Sequence, residues 1–272
     1  MPAVPSTQVH ISLAGREVAL FPWVATSSLG PPLTVPTGHL RFDPQKMDDA
    51  PFLKRLLGLD AHVFGPRGQQ MPSWVLYDCA LAPGAVFGFA ARHSDLPAAL
   101  TDVVAAAEPE TLVPVSMMNA LPLPNRERLL VHTLAWLGAA DPSTLPIGRA
   151  TLRGAVAALG LTSLRVVAGW STPELRLFAE LAPLSLVTAW TPAHDVLATV
   201  TFDLDTGPDA GSAPTASPDS SPLHLPHPPE SELVALQARL ERGEHLWLVS
   251  SPDSDSGLCI VPGVRTGVEA RP

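Results

Sequence analysis

The residues that could transfer a proton in this chain form few recognisable groups, and His194 with Asp195 is the clearest. An imidazole beside a carboxylate can act as a general base near neutral pH. The pair follows Trp190-Thr191-Pro192-Ala193, a turn at the end of an expected strand, where a cleft can open. The same dipeptide also fits an ordinary surface turn, and a lone His-Asp pair favours the turn over catalysis.

A second candidate segment is Tyr77-Asp78-Cys79, which contains the only tyrosine. The apolar run predicts a strand at 73–79, with Tyr77 and Cys79 on one face and Asp78 on the other. A nucleophilic cysteine needs a base nearby, and the sequence identifies none for Cys79. We therefore expect a buried structural thiol. The other cysteine, Cys259, is too distant in sequence to indicate a disulfide framework or a zinc site.

The histidines do not predict a metal site. The chain has nine of them, without a His-x-x-x-His or His-Glu-x-x-His pattern. His224 and His227 lie in a proline-rich stretch, where ordering a metal site would cost much backbone entropy. We expect no metal.

Composition excludes several classes of protein. The formal charge is −9, from 17 basic and 26 acidic residues, and no basic cluster is present to bind a nucleic acid. No apolar run approaches the ~18 residues of a membrane span, and Met1–Pro5 lacks the pattern of a signal peptide. We expect a cytoplasmic protein that binds neither nucleic acid nor membrane.

Hydrophobic residues make up 46% of the chain, so most of it should fold, whereas 31 prolines exclude long uninterrupted helices.

The chain divides into three parts by composition. Residues 206–230 are rich in Pro, Ser, Gly and Asp and predict a linker or long loop between a body at 1–205 and an appendage at 231–272. The appendage predicts a helix with three leucines on one face, followed by a hairpin of two short strands. Because so short a segment buries little core, we expect it to pack on the body or on a partner. Its leucines and expected strands are Leu233, Leu236, Leu240, His245–Ser250 and Gly257–Val261.

Hydrophobic patterns in the body predict a mixed α and β class with a mixed sheet. Residues 127–138 fit either a helix or a strand and stay undecided. The other expected strands are 17–24, 38–43, 73–79, 84–91, 112–121, 163–168, 184–190 and 196–204, and the expected helices are 51–58, 96–107, 147–159 and 173–181.

The segment 144–204 resembles the C-terminal half of the GNAT superfamily of N-acetyltransferases. It begins with Pro146-Ile147-Gly148-Arg149 before a helix, continues with the strand Leu164-Arg165-Val166-Val167 and a second short helix, and ends in two strands. The resemblance implies a GNAT-like α/β body, followed here by the helix-hairpin appendage. It also implies acetyl-CoA or another acyl-CoA as cofactor, with its pyrophosphate on the backbone amides of a helix start.

Transferred residue by residue, the resemblance assigns the cofactor to Ile147, Gly148, Arg149 and Ala150, with Arg153 near the phosphates. The family pattern falls on residues 143–148, where only Gly148 matches and Pro146 replaces a glycine. Phe178 occupies the position where many members have a tyrosine that protonates the leaving thiolate.

Three functions follow from these residues. The first is an acyl-CoA-dependent acyltransferase-like protein with an unknown small-molecule or protein acceptor and a base such as His194. The second is a non-catalytic ligand- or partner-binding module on the same fold. The third is a scaffold whose C-terminal helix binds a partner through an apolar patch. Homo-oligomerisation is open in each case.

Overall fold

A computed structural model describes residues 7–29, 35–81, 85–101, 104, 108–123, 128–170, 172–190, 199–206, 221–222, 228–250 and 258–263. The chain forms two compact units, an N-terminal unit at Met1–Gly160 and a C-terminal unit at Leu161–Pro272. The division after Gly160 lies within the body predicted at 1–205, and the second unit contains both the end of that body and the appendage.

The N-terminal unit contains an antiparallel sheet in the order β1-β2-β4-β5-β6, and β3 pairs with β2 in parallel. The sheet is thus mixed, as expected. Its strands are β1 (Val9–Leu13), β2 (Arg16–Ala25), β3 (Leu40–Phe42), β4 (Ala85–Arg92), β5 (Leu112–Pro122) and β6 (Leu129–Trp136). The undecided run at 127–138 is therefore a strand, and its burial on both faces explains why it shows no alternation.

The described part of this unit contains four α-helices: α1 (Ala50–Phe64), α2 (Ser73–Leu81), α3 (Ala98–Thr101) and α4 (Leu145–Leu159). The predicted strand at 73–79 is wrong, since this segment is α2. Its buried residues are Val75, Leu76, Cys79 and Ala80, a spacing that follows a helical face and not strand alternation. Within the helix expected at 96–107, the structure describes α3 at Ala98–Thr101, and residues 102–103 and 105–107 lie outside the described residues.

Helices pack on both faces of this sheet. Ser116 and Asn119 of β5 point to opposite faces because an odd number of positions separates them. Ser116 contacts Thr151 of α4, and Asn119 contacts Met71 in the segment between α1 and α2. A Cβ added at Gly154 of α4 would lie 2.8 Å from the ring of Phe87, so the glycine lets α4 approach β4 closely.

Where the structure describes the C-terminal unit, it contains an antiparallel sheet in the order β7-β9-β8-β11-β12-β10 and two helices. The appendage extends this sheet because β11 pairs with β8. The elements are β7 (Ser163–Gly169), α5 (Pro173–Leu181), β8 (Leu184–Thr188), β9 (Thr199–Asp205), β10 (Ser221–Pro222), α6 (Glu230–Glu241), β11 (His245–Ser250) and β12 (Leu258–Gly263). The helix, strand, helix and two strands implied by the GNAT resemblance are α4, β7, α5, β8 and β9.

Helix α6 packs against β8, where Gln237 Oε1 accepts a hydrogen bond from the Ala189 amide at 3.0 Å. Leu233 and Leu236 are buried, so these leucines are part of the core of the unit and do not form the exposed patch that a scaffold would present. Most of the expected linker at 206–230 lies outside the described residues. None of the helices in the described part of the chain is long and apolar enough to cross a bilayer.

Candidate functional site

The site implied by the resemblance is the start of α4. A 3₁₀ helix at Pro142–Thr144 runs directly into α4, so the helical segment begins at Pro142 and Asp141 is its N-cap. Asp141 Oδ1 accepts a hydrogen bond from the Ser143 amide at 2.9 Å, and Oδ2 accepts one from the Ser143 hydroxyl at 2.8 Å. These hydrogen bonds lower the pKa of Asp141, so the carboxylate stays charged at the helix start.

The backbone amides that follow also have partners within the chain. The Thr144 amide donates to the Asp141 carbonyl at 3.0 Å, and the Leu145 amide donates to the Pro142 carbonyl. Pro142 and Pro146 carry no N–H. In a helix that begins at Leu145, the amides beyond the first turn are used in i→i−4 hydrogen bonds.

The residues expected to hold the cofactor all lie in α4. Ile147 and Gly148 are buried, Arg149 and Ala150 are partly buried, and Arg153 is exposed one turn after Arg149. The helix therefore presents two cationic side chains but no row of free amides at its start. The start of the helical segment is capped by a carboxylate of the protein, because Asp141 accepts from the amide and the hydroxyl of Ser143.

The two residues expected near proton transfer have different outcomes. Phe178 in α5 is buried and packs edge-on against Phe202, with ring centroids 5.6 Å apart, so it is a core residue without a proton to donate. His194 lies outside the described residues. The start of α4 and Phe178 thus lack the groups that the GNAT pattern uses for phosphate binding and for protonation of the thiolate.

A group of buried polar side chains surrounds Met71 in the N-terminal unit. Asp60 Oδ2 of α1 accepts a hydrogen bond from the Met71 amide at 2.6 Å. Asn119 Nδ2 of β5 donates to the Met71 sulfur at 3.2 Å. Asp60 Oδ1 and Asn119 Oδ1 are both buried and have no hydrogen-bond partner among the described residues. Burial raises the pKa of Asp60, whereas the Met71 amide opposes this shift.

The pairing of β5 and β6 is irregular beside this polar group. Asn119 pairs with Thr133 and Ala120 pairs with Val131, so His132 is an extra residue in β6. His132 Nδ1 lies 2.9 Å from the Thr133 hydroxyl. His132 is exposed as a residue, and partial desolvation of its ring lowers the pKa of the imidazole, which favours the neutral form that accepts a proton.

Sequence reasoning missed the buried Asp60 and Asn119 beside Met71, and it missed His132 at the bulge of β6. The helix expected at 51–58 ends before Asp60, which lies in α1 of the structure. His132 lies in the run at 127–138, which fitted either a helix or a strand. The sequence offered one sign of these residues: each is a single polar residue within an otherwise apolar segment. Without the sheet register, this signal does not show that the segments meet.

Cys79 lacks the exposed, low-pKa thiol of a nucleophile. It is fully buried in α2, and burial, with a smaller contribution from the Asp78 charge, raises the pKa of its thiol to about 12. Among the described residues, no three His, Cys, Asp or Glu side chains are grouped closely enough to hold a metal ion.

No protein-family model and no curated protein matches this chain. Solved structures of N-acetyltransferases are similar to it over about 60% of its length. The aminoglycoside 6'-N-acetyltransferase from Enterococcus faecium has a TM-score of 0.42 and 8% identity, over 60% of this chain and 95% of that one.

Two further solved structures have comparable values. The ribosomal-protein-S18-alanine N-acetyltransferase from Escherichia coli has a TM-score of 0.38 and 12% identity, over 64% of this chain and 94% of that one. A putative acetyltransferase from Salmonella typhimurium, solved with acetyl-CoA, has a TM-score of 0.38 and 11% identity, over 62% of this chain and 94% of that one. The likeness to the GNAT fold is weak and partial.

Proposed function

We propose that this chain is a non-catalytic ligand-binding module on a GNAT-like fold and that it does not transfer acyl groups from acyl-CoA. The observation that carries the proposal is the contact between Asp141 and Ser143. Fold alone does not determine activity, because activity depends on the groups at the site.

The charge of Asp141 opposes cofactor binding in two ways. Its oxygens already accept from the Ser143 amide and hydroxyl, which a phosphate would otherwise use. Its negative charge is stabilised by the positive end of the helix, and it repels a second anion at the same place. Pro142 and Pro146 remove two further donors from this region.

The proposal is tested by calorimetry and thermal unfolding with coenzyme A and acetyl-CoA at millimolar concentration. We expect no change in melting temperature for the wild type, because a ligand stabilises only a fold that it binds. Asp141→Asn is the informative variant, since its amide oxygen still accepts from Ser143 while the charge is lost. A gain of coenzyme A affinity in this variant alone would support the role given to the carboxylate.

The outcome that would overturn the proposal is saturable binding of acetyl-CoA by the wild type that Arg149→Ala and Arg153→Ala weaken. Such a result would mean that the α4 start accepts the cofactor despite Asp141. Release of free thiol from acetyl-CoA in the presence of an amine acceptor would contradict the proposal directly.

The rival function, acyl-CoA-dependent N-acylation, is favoured by one observation. His132 lies at a strand bulge next to Thr133, the pairing partner of Asn119, and its lowered pKa favours the neutral imidazole, which can deprotonate an amine. If thiol release is detected, His132→Gln should reduce it strongly while leaving acetyl-CoA affinity unchanged. If the wild type shows no thiol release, this rival function is excluded for the acceptors tested.

A further inference from the structure

A cavity of about 400 Å³ lies in the N-terminal unit beside the first half of α1. Its volume is near the lower end of the ~300–1,000 Å³ found for small-molecule sites. Four of its lining residues, Pro51, Lys54, Arg55 and Gly58, are spaced i, i+3, i+4 and i+7 and so lie on one face of the helix. The others are Leu59, Val104, Pro114 and Leu137.

The lining separates into a cationic part and an apolar part. Lys54 and Arg55 bring two positive charges, and none of the lining residues that the structure describes is acidic, although the chain has a formal charge of −9. Leu59, Pro114 and Leu137 are buried and bring only apolar surface. A ligand that complements both parts has an anionic head and an aliphatic tail.

Arg55 has an unused donor. Its Nη1 donates to the Pro51 carbonyl at 3.3 Å, which orients the guanidinium along α1. Its Nε–H is shielded from solvent and has no hydrogen-bond partner among the described residues. A buried donor without an acceptor is unfavourable, and a carboxylate or phosphate oxygen is the acceptor that a guanidinium binds best.

Gly58 leaves space at the cavity wall. It lies in the interior of α1, where glycine is a poor helix former, yet no atom lies within 4 Å of the position that its Cβ would take. The protein's own packing therefore does not require glycine at this position. A large side chain there would reduce the space that a ligand can occupy.

We propose that this cavity binds a single-chain amphiphile with an anionic head, held by Lys54 and Arg55, and with its tail against Leu59, Pro114 and Leu137. This inference deepens the proposed ligand-binding function by naming a ligand class. It uses residues remote in sequence from Asp141, so the two proposals have separate tests.

The test is isothermal titration of the full chain with octanoate and octyl phosphate, compared with octanol and butanoate. We expect saturable binding of at least one octyl anion, with affinity at least tenfold weaker for octanol, which lacks the charge, and for butanoate, which lacks the tail. Stronger binding of octanoate or of octyl phosphate would identify the head group. Added salt should weaken binding of the anion and leave that of octanol unchanged.

Variants separate the two parts of the cavity. Arg55→Gln should weaken anion binding about tenfold and Lys54→Gln several-fold, whereas Lys46→Gln removes the same charge outside the cavity and should have no effect. Gly58→Phe should reduce binding at least tenfold. Its matched control is Gly65→Phe, because Gly65 also has no atom near its Cβ position and does not line the cavity. Circular dichroism verifies that each variant is folded.

The proposal is overturned if octanol binds as tightly as both anions, if no octyl anion binds saturably, or if Arg55→Gln has no effect. Should Gly58→Phe fail to fold, Gly58→Leu takes its place. Acetyl-CoA binding by the wild type would contradict the proposed function but not the cavity proposal. The titrations with octanoate and octyl phosphate would still test the cavity.

Discussion

The indole N–H of Trp136 donates a hydrogen bond of 3.1 Å to the hydroxyl of Thr144. That hydroxyl also lies 2.8 Å from the carbonyl oxygens of Gly138 and Asp141. One buried side chain therefore joins the end of β6 to the first turn before α4. The hydrogen bond from the Thr144 hydroxyl to the Asp141 carbonyl holds Asp141 in the position where its carboxylate caps the helix.

Replacing Thr144 with valine tests this junction. Thr144→Val keeps the shape of the side chain but leaves the buried Trp136 N–H without its acceptor, which should cost about 1–3 kcal/mol of unfolding free energy. The measurement is urea unfolding followed by tryptophan fluorescence. Thr144→Ser retains the hydroxyl and should cost clearly less; equal losses for both variants would show that the methyl group, and not the hydrogen bonds, is what matters.

Ser116 makes a second buried contact, between β4, β5 and α4. Its hydroxyl accepts a hydrogen bond from the Phe89 amide at 3.1 Å and lies 2.6 Å from the Thr151 hydroxyl. Ser116→Ala should lower the unfolding free energy by about 1–3 kcal/mol, because the Phe89 amide is then buried without an acceptor. Thr151→Val leaves that amide bonded and should have the smaller effect. The test is chemical denaturation of both variants, in which Ser116→Ala should lose more unfolding free energy than Thr151→Val.

The buried Asp60 predicts a pH dependence of stability with a definite sign. Burial raises the pKa of its carboxyl above the ordinary value of 3.8, so the native state retains the proton at pH values where the unfolded chain has lost it. The contribution of this group to stability therefore falls as pH rises from about 3.8 through the raised pKa.

The matched variant is Asp60→Asn, whose oxygen still accepts from the Met71 amide. The unfolding free energy of Asp60→Asn minus that of the wild type should be larger at pH 7 than at pH 4. Urea unfolding at both pH values measures this difference. A wild-type advantage that grows with pH would contradict the raised pKa. The same comparison for Asp78→Asn, an exposed carboxyl in α2, serves as a background control.

The thiol of Cys79 should be unreactive in the folded protein. Because it is fully buried and its pKa is raised to about 12, almost no thiolate forms at pH 8. In the Cys259→Ala variant, we expect no labelling by a disulfide reagent in buffer and one thiol labelled in denaturant. Rapid stoichiometric labelling of the native variant would mean that α2 opens or that the site is accessible.

Local sequence patterns determined most of the secondary structure. The helical spacing of α1, α4, α5 and α6 and the apolar runs of β4, β5 and β11 are visible along the chain, because amphipathic faces repeat with the period of the element. The prediction was wrong at α2, because a short apolar run fits a strand as well as a helix. Only the buried residues of the structure distinguish the two. The pattern left β6 open because both faces of that strand are buried, which removes the alternation.

The sequence also located the start of α4 and the substitutions at Pro146 and Phe178, since these depend on residue type and order. Only the tertiary structure decided what those positions do. The cap by Asp141, the meeting of Asn119 with Met71 and the cavity beside Gly58 all depend on contacts between side chains whose geometry no local pattern specifies. Such contacts are fixed by strand register and helix packing, which is why the residue sequence of this helix start does not reveal that the Asp141 carboxylate caps it.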